Sequence, residues 1–152
     1  MNKSSKTAFH LVQWRRVPKG TNGAVSFVGT LASALGGFLV GLAYYVTLEC
    51  MLYLQQDYEQ TAAPSSSQLP LVLIGTASGL IGSLVDSILG GYFQYSGLDM
   101  KTLRIVENPG PSVEHISGYN MLSNNQVNLL SCLVISFIVP YWSFYMYKHI
   151  QL

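Results

Sequence analysis

Asp86 is the only charged residue between Leu69 and Phe93, an apolar run long enough to cross a membrane. Burying a carboxylate at that depth costs roughly 2.5–3.5 kcal/mol on insertion scales, so such an acid faces other helices or a wet cavity. At helical spacing Gly75, Gly79, Gly82 or Ser83, Asp86 and Gly90 share one face, a smooth stripe that another helix or a ligand can approach closely. Three chemistries suit Asp86 with its neighbour Ser87: holding a metal–phosphate complex, accepting a proton, or pairing with a polar group across a helix bundle.

Two further polar groups belong beside it. Lys19-Gly-Thr-Asn-Gly23, preceded by Arg15 and Arg16, is a compact basic loop entering a helix. Free amides and the helix dipole favour an anion there, although the spacing is not that of a Walker loop. Asn124, Asn125 and Asn128, with His115 upstream, lead into the last apolar run. Their amides suit phosphate or hydroxyl groups and equally suit helix capping. No Ser-His-Asp order, paired histidines or cysteine pair points to hydrolase or metalloenzyme chemistry. Cys50 and Cys132 read as free thiols in apolar segments.

The elements that carry these residues are membrane helices. Of 152 residues, 49% are hydrophobic and 10% charged, against about 25% charged in a soluble domain, and the mean hydropathy is +0.32. The expected architecture is all-α and polytopic, with about three transmembrane helices. Residues 1–24 form a basic juxtamembrane segment with a turn at 17–23. Residues 25–48 form the first span, 49–68 a polar loop, 69–93 the second span, 94–125 a loop, 126–147 the third span and 148–152 a tail. Within the long loop, alternation over 101–107 suits a short strand. Gly29, Ser33, Gly37 and Gly41 recur every fourth residue in the first span, a face for close helix association with another membrane helix or a second copy.

Five of the eight basic residues (Lys3, Lys6, Arg15, Arg16 and Lys19) precede the first span. This places the amino terminus and the 94–125 loop in the cytosol. The sequon Asn2-Lys-Ser4 then stays unglycosylated. A net charge of +1 without a basic face excludes bulk nucleic-acid binding. The lipid bilayer is the expected surrounding, in the endoplasmic reticulum or another endomembrane.

Val17-Pro-x-Gly-Thr-Asn-Gly23-x-Val25-Ser26, then Gly82-Ser-Leu-x-Asp86-Ser87-x-Leu-Gly90, then Ile116-Ser-Gly118 with Leu122-x-Asn-Asn-x-Val-Asn128, resemble in that order the transmembrane protein 19 family, which includes phytyl-phosphate kinases. The resemblance covers the carboxy-terminal half of such proteins. It departs at Ala24, where a further glycine is usual, and no counterpart of the family's amino-terminal acidic motif is found. It implies transfer of a phosphoryl group from CTP, with Mg²⁺, to an isoprenoid monophosphate. It also implies site residues Gly20, Thr21, Asn22, Gly23, Asp86, Asn124 and Asn125, with Asp86 as catalytic residue and metal ligand; charge and position add Lys19. The competing expectations are a non-catalytic membrane protein or inactive fragment that associates through its glycine face, and a proton-coupled transporter, for which the first and third spans offer no polar path.

Overall fold

The structure, a computed structural model, describes residues 7–56 and 69–150. Asp57 and Glu59 of the polar loop, the 57–68 stretch, the sequon and the last two residues of the tail lie outside them. In chain order the elements are β1 (Thr7–His10), β2 (Arg15–Pro18), β3 (Ala24–Val25), α1 (Phe27–Gln56), α2 (Pro70–Phe93), β4 (Ser96–Asp99), β5 (Arg104–Val106), β6 (Val113–Ser117) and α3 (Asn124–Ile150).

Among the described residues three helices are long and apolar enough to cross a membrane, as expected of an integral membrane protein. Their large apolar side chains are mostly exposed, Phe27, Leu39, Val40 and Phe137 among them, because lipid tails accept an apolar face as readily as a protein core does. α1 extends two turns beyond the expected end at residue 48. Glu49-Cys-Met-Leu-Tyr-Leu-Gln-Gln56 contains good helix formers and neither Gly nor Pro to stop it. α2 starts with Pro70 in its first turn, where the missing amide hydrogen is no loss. Ser123 caps α3 in a capping box: its amide donates to Gln126 Oε1 at 2.8 Å, and its hydroxyl accepts the Gln126 amide at 3.4 Å.

The juxtamembrane segment and the 94–125 loop fold, among the described residues, into two three-stranded antiparallel sheets, ordered β2-β1-β3 and β5-β4-β6. The short strand expected within 101–107 is β5, at 104–106; over residues 7–25, where the sequence showed only a turn at 17–23, the juxtamembrane segment pairs into strands. Thr7-Ala8-Phe9-His10 alternates exposed and buried positions, the period-two signature of a half-buried strand.

These sheets are two copies of one module, offset by 89 residues: His10 pairs with Arg15 and Ala24 as Asp99 pairs with Arg104 and Val113. The non-strand bonds repeat as well. Leu11 N donates to Gly23 O and Ala24 N to Thr21 O; at the same offset Met100 N donates to Ser112 O and Val113 N to Gly110 O. The residue before each second strand is left-handed, Trp14 at φ 50° and Leu103 at φ 56°. Each turn is closed by its first residue, by His10 Nδ1 accepting Gln13 N at 3.1 Å and by Asp99 accepting Lys101 N and Thr102 Oγ1. Those donors, with Ser112, hold the half-buried Asp99 carboxyl below its ordinary range.

The chain divides into two compact units. One comprises Leu31–Ile81 and Ile135–Leu152. Within it the glycine face of α1 meets the glycines of α2 backbone to backbone. A methyl group on Gly37 would strike the Gly75 carbonyl oxygen, and one on Gly41 would lie 2.8 Å from the Leu71 carbonyl. The Ser33/Gly37/Gly41 stripe is thus occupied by α2 of the same chain. The other unit, Met1–Thr30 with Gly82–Val134, holds both sheets and every residue of the candidate site.

Candidate functional site

Asp86 lies seven residues before the end of α2, about 10 Å along the helix axis. It is half-buried, and the buried Ser131 of α3 donates to its Oδ1 at 3.4 Å while also donating to the Asn128 carbonyl at 2.9 Å. This hydroxyl shared between two acceptors is a weak partner for a charge. Among the described residues no Lys or Arg pairs with the carboxylate, and no group of three His, Cys, Asp or Glu side chains converges anywhere.

The 20–23 loop is held tightly. Thr21 N and Oγ1 donate to the Pro18 carbonyl, at 3.3 and 2.8 Å. Asn22 N donates to Ser96 Oγ at 2.9 Å and Asn22 Nδ2 to the Tyr95 carbonyl at 3.2 Å, which ties the first module to the start of β4. Gly23 has φ +81° and abuts Gly91 near the end of α2, so a side chain is excluded by conformation and by contact. The amides expected to meet an anion at residues 21 and 22 are engaged in these bonds. Lys19 and Gly20 are exposed beside them.

A second convergence was not anticipated. The amides of Tyr119, Met121 and Leu122 donate to the last carbonyls of α2, at Tyr92 and Phe93, satisfying groups that a helix end leaves open. This fold-back creates a polar recess of about 280 Å³ lined by Asn22, Gln94, Glu107, Asn108, Asn120 and Asn124, among others. Two of the sequence candidates, Asn22 and Asn124, therefore meet in one cavity. Asn125, exposed on the first turn of α3, does not line it, and neither do Asp86, Lys19, Gly20 or Gly23. The signal for the missed members was weak: Glu107-Asn108 stands before Pro-Gly, which reads as an ordinary turn. His115 has a structural task, its Nε2 donating to the Gly118 carbonyl at 2.9 Å while its ring lies on Tyr95.

His10, by contrast, is fully buried against Gly91, and its Nε2 finds no partner at hydrogen-bonding distance. Burial lowers its pKa, the Asn22 backbone opposes that shift, and Arg15 adds to it.

The chain matches the family described as Integral membrane protein DUF92 over residues 2–136. It is 36% identical over 141 residues to Protein PGR of Arabidopsis thaliana, covering 90% of this chain and 46% of that protein. It is 37% identical over 82 residues to an uncharacterized membrane protein of Methanocaldococcus jannaschii, covering 54% of this chain and 27% of that protein. The chain thus spans less than half the length of either relative. No solved structure matches it. By the extent of these matches and by its three apolar helices, the chain belongs to the DUF92 family of integral membrane proteins.

Proposed function

We propose that the complete protein transfers a phosphoryl group from a nucleoside triphosphate, CTP by the family resemblance, to an isoprenoid monophosphate at the cytosolic membrane interface, and that this chain supplies the Asp86 part of the site. The observation that carries the reading is Asp86 itself. A half-buried acid in a membrane helix, met by one long hydroxyl contact and no cation among the described residues, is under-compensated for a structural role. Asn22 and Asn124, brought together in the polar recess, add donors and acceptors suited to a nucleotide.

A single carboxylate does not fit a resident metal. It fits an Mg²⁺ that arrives with the triphosphate, since that ion commonly takes one or two carboxylates and fills its shell with phosphate and water. Such an ion would be held here by Asp86 and would neutralise charge on the transferring group. The chain's own residues orient the reactants: Ser131 steadies Asp86, and exposed Lys19 offers charge to phosphate oxygens. Association through the glycine face of α1, the competing reading, loses ground because α2 already fills Ser33, Gly37 and Gly41.

The test is label transfer from γ-labelled CTP to isoprenyl monophosphates by the full-length protein in liposomes. Asp86→Asn should reduce transfer by roughly 100-fold or more, while Lys101→Gln, remote in the turn before β5, should not. Full activity in Asp86→Asn removes the residue from this role. Absence of transfer in the wild type, with any nucleotide, ends the phosphoryl-transfer reading.

A further inference from the structure

The cleft between β1, β2 and the start of α1 has about 290 Å³ and is lined by Thr7, Phe9, Arg16, Ser26 and Phe27, with no acid among its lining residues. Arg15 next door is committed, Nε to Gln13 Oε1 at 2.8 Å and Nη2 to the Ile116 carbonyl at 2.9 Å. Arg16 is exposed and meets no acid among the described residues. Because α1 crosses the membrane from Phe27, the cleft lies where that helix enters the bilayer. Phe27 is 84% exposed and Trp14 80%, and Trp14 packs edge-on against Phe9 at 5.9 Å. Exposed aromatic rings at a helix entry belong to the headgroup region.

The geometry points to a binding site for an anionic phospholipid headgroup, with the phosphate on Arg16 and the Thr7 and Ser26 hydroxyls and the glycerol and upper acyl carbons against Phe9 and Phe27. A guanidinium suits the phosphate's paired oxygens, whereas a free soluble anion would have no use for aromatic walls at bilayer depth. The second module supplies an internal comparison. It has the same register, yet its matching positions hold Leu98, Ile105, His115 and Ile116 where the first has Phe9, Arg16, Ser26 and Phe27. The module therefore folds with an isoleucine in place of Arg16, and the cation answers to something other than the fold. This assignment is independent of phosphoryl transfer, because nothing in the cleft involves a nucleotide.

The protein is reconstituted in nanodiscs of equal phosphatidylcholine and phosphatidic acid, gently delipidated, and the retained lipids are weighed by mass spectrometry. Phosphatidic acid should be enriched over phosphatidylcholine. Arg16→Gln should lower that enrichment roughly fivefold to tenfold, Arg16→Lys should keep part of it, and Lys101→Gln should leave it unchanged. The site is overturned by no enrichment in the wild type, by undiminished enrichment in Arg16→Gln, or by an equal fall in Lys101→Gln, which would mean diffuse surface charge. Displacement of the lipid by equimolar inorganic phosphate would show a soluble-anion site and overturn it as well.

Discussion

Gly36 and Gly37 are neighbours in α1 and differ in what a methyl group would meet. At Gly36 a methyl would meet nothing within 4 Å beyond its chain neighbours and the adjoining backbone of its own helix; at Gly37 the methyl would strike the Gly75 carbonyl oxygen and lie 3.1 Å from both Gly75 C and Gly79 Cα. Either Gly→Ala change gains helix propensity of up to about 1 kcal/mol. At Gly36 that gain stands alone. At Gly37 the obstruction is backbone, which has no rotamer to change, so the helices must separate and lose their contacts. Overpacking of ordinary cores costs about 1–3 kcal/mol, and a backbone clash belongs at the upper end. The expected net result is Gly36→Ala neutral to about 1 kcal/mol more stable, and Gly37→Ala about 1–2 kcal/mol less stable. Helicity followed through a dodecyl sulfate titration in mixed micelles measures the difference, with sedimentation to report oligomeric state. Equal stability of the two variants would refute the intramolecular packing. A Gly37→Ala protein of wild-type stability but altered oligomeric state would return the glycine face to its competing role in association.

Two further outcomes follow from the polar unit. His10 titrates at 6.5 when unfolded and lower when folded, so the unfolded chain binds more protons below that value and stability falls as pH drops through it. Melting temperatures between about pH 7.5 and about pH 5 should show the decline. His10→Asn, which keeps an acceptor for the Gln13 amide, should flatten that slope; an unchanged slope would place the sensitivity elsewhere. Ser123→Ala removes the α3 cap and should cost about 1 kcal/mol in the same melting assay, and a loss below a few tenths would mean that the amides at the helix start find water instead.

The membrane spans were legible because each is a long uncharged run, a signal that needs no neighbour to interpret it. Asp86 was legible for the same reason, as one charge in an apolar segment. Of the sheets only β5 showed, through the alternation over 101–107; the pairing did not, since β3 is two residues long and the strands meet across turns whose left-handed residues are Trp14 and Leu103 rather than glycine. The loop of residues 20–23 showed its backbone freedom in sequence but not the use of its donors, because Ser96 and Tyr95 stand more than seventy residues away. The glycine stripe of α1 announced close packing, but only coordinates identify α2 as what it packs against. Ser123-Asn-Asn-Gln126 is a capping-box pattern, in which the pair flanking Asn124 and Asn125 closes the helix.

The duplicated module offers a way to separate fold from function without any other sequence. Two copies with one register and one set of turn bonds show what the scaffold needs: a turn-closing side chain at His10 or Asp99, a left-handed residue at Trp14 or Leu103, and a valine at Val17 or Val106. Where the copies differ in charge at positions outside that set, the scaffold is indifferent and another demand has fixed the residue. Arg16 against Ile105 is one such pair, and Lys19 against Asn108 is another, the first exposed beside the 20–23 loop and the second lining the polar recess. The first copy thus carries cations at the start of α1, while the second carries amides and Glu107 near the start of α3. One fold, used twice in the same unit, presents a cationic cleft in one copy and, beside the other, a hydrogen-bonding recess of amides with a single acid, Glu107, so the scaffold is shared and the surface chemistry is not.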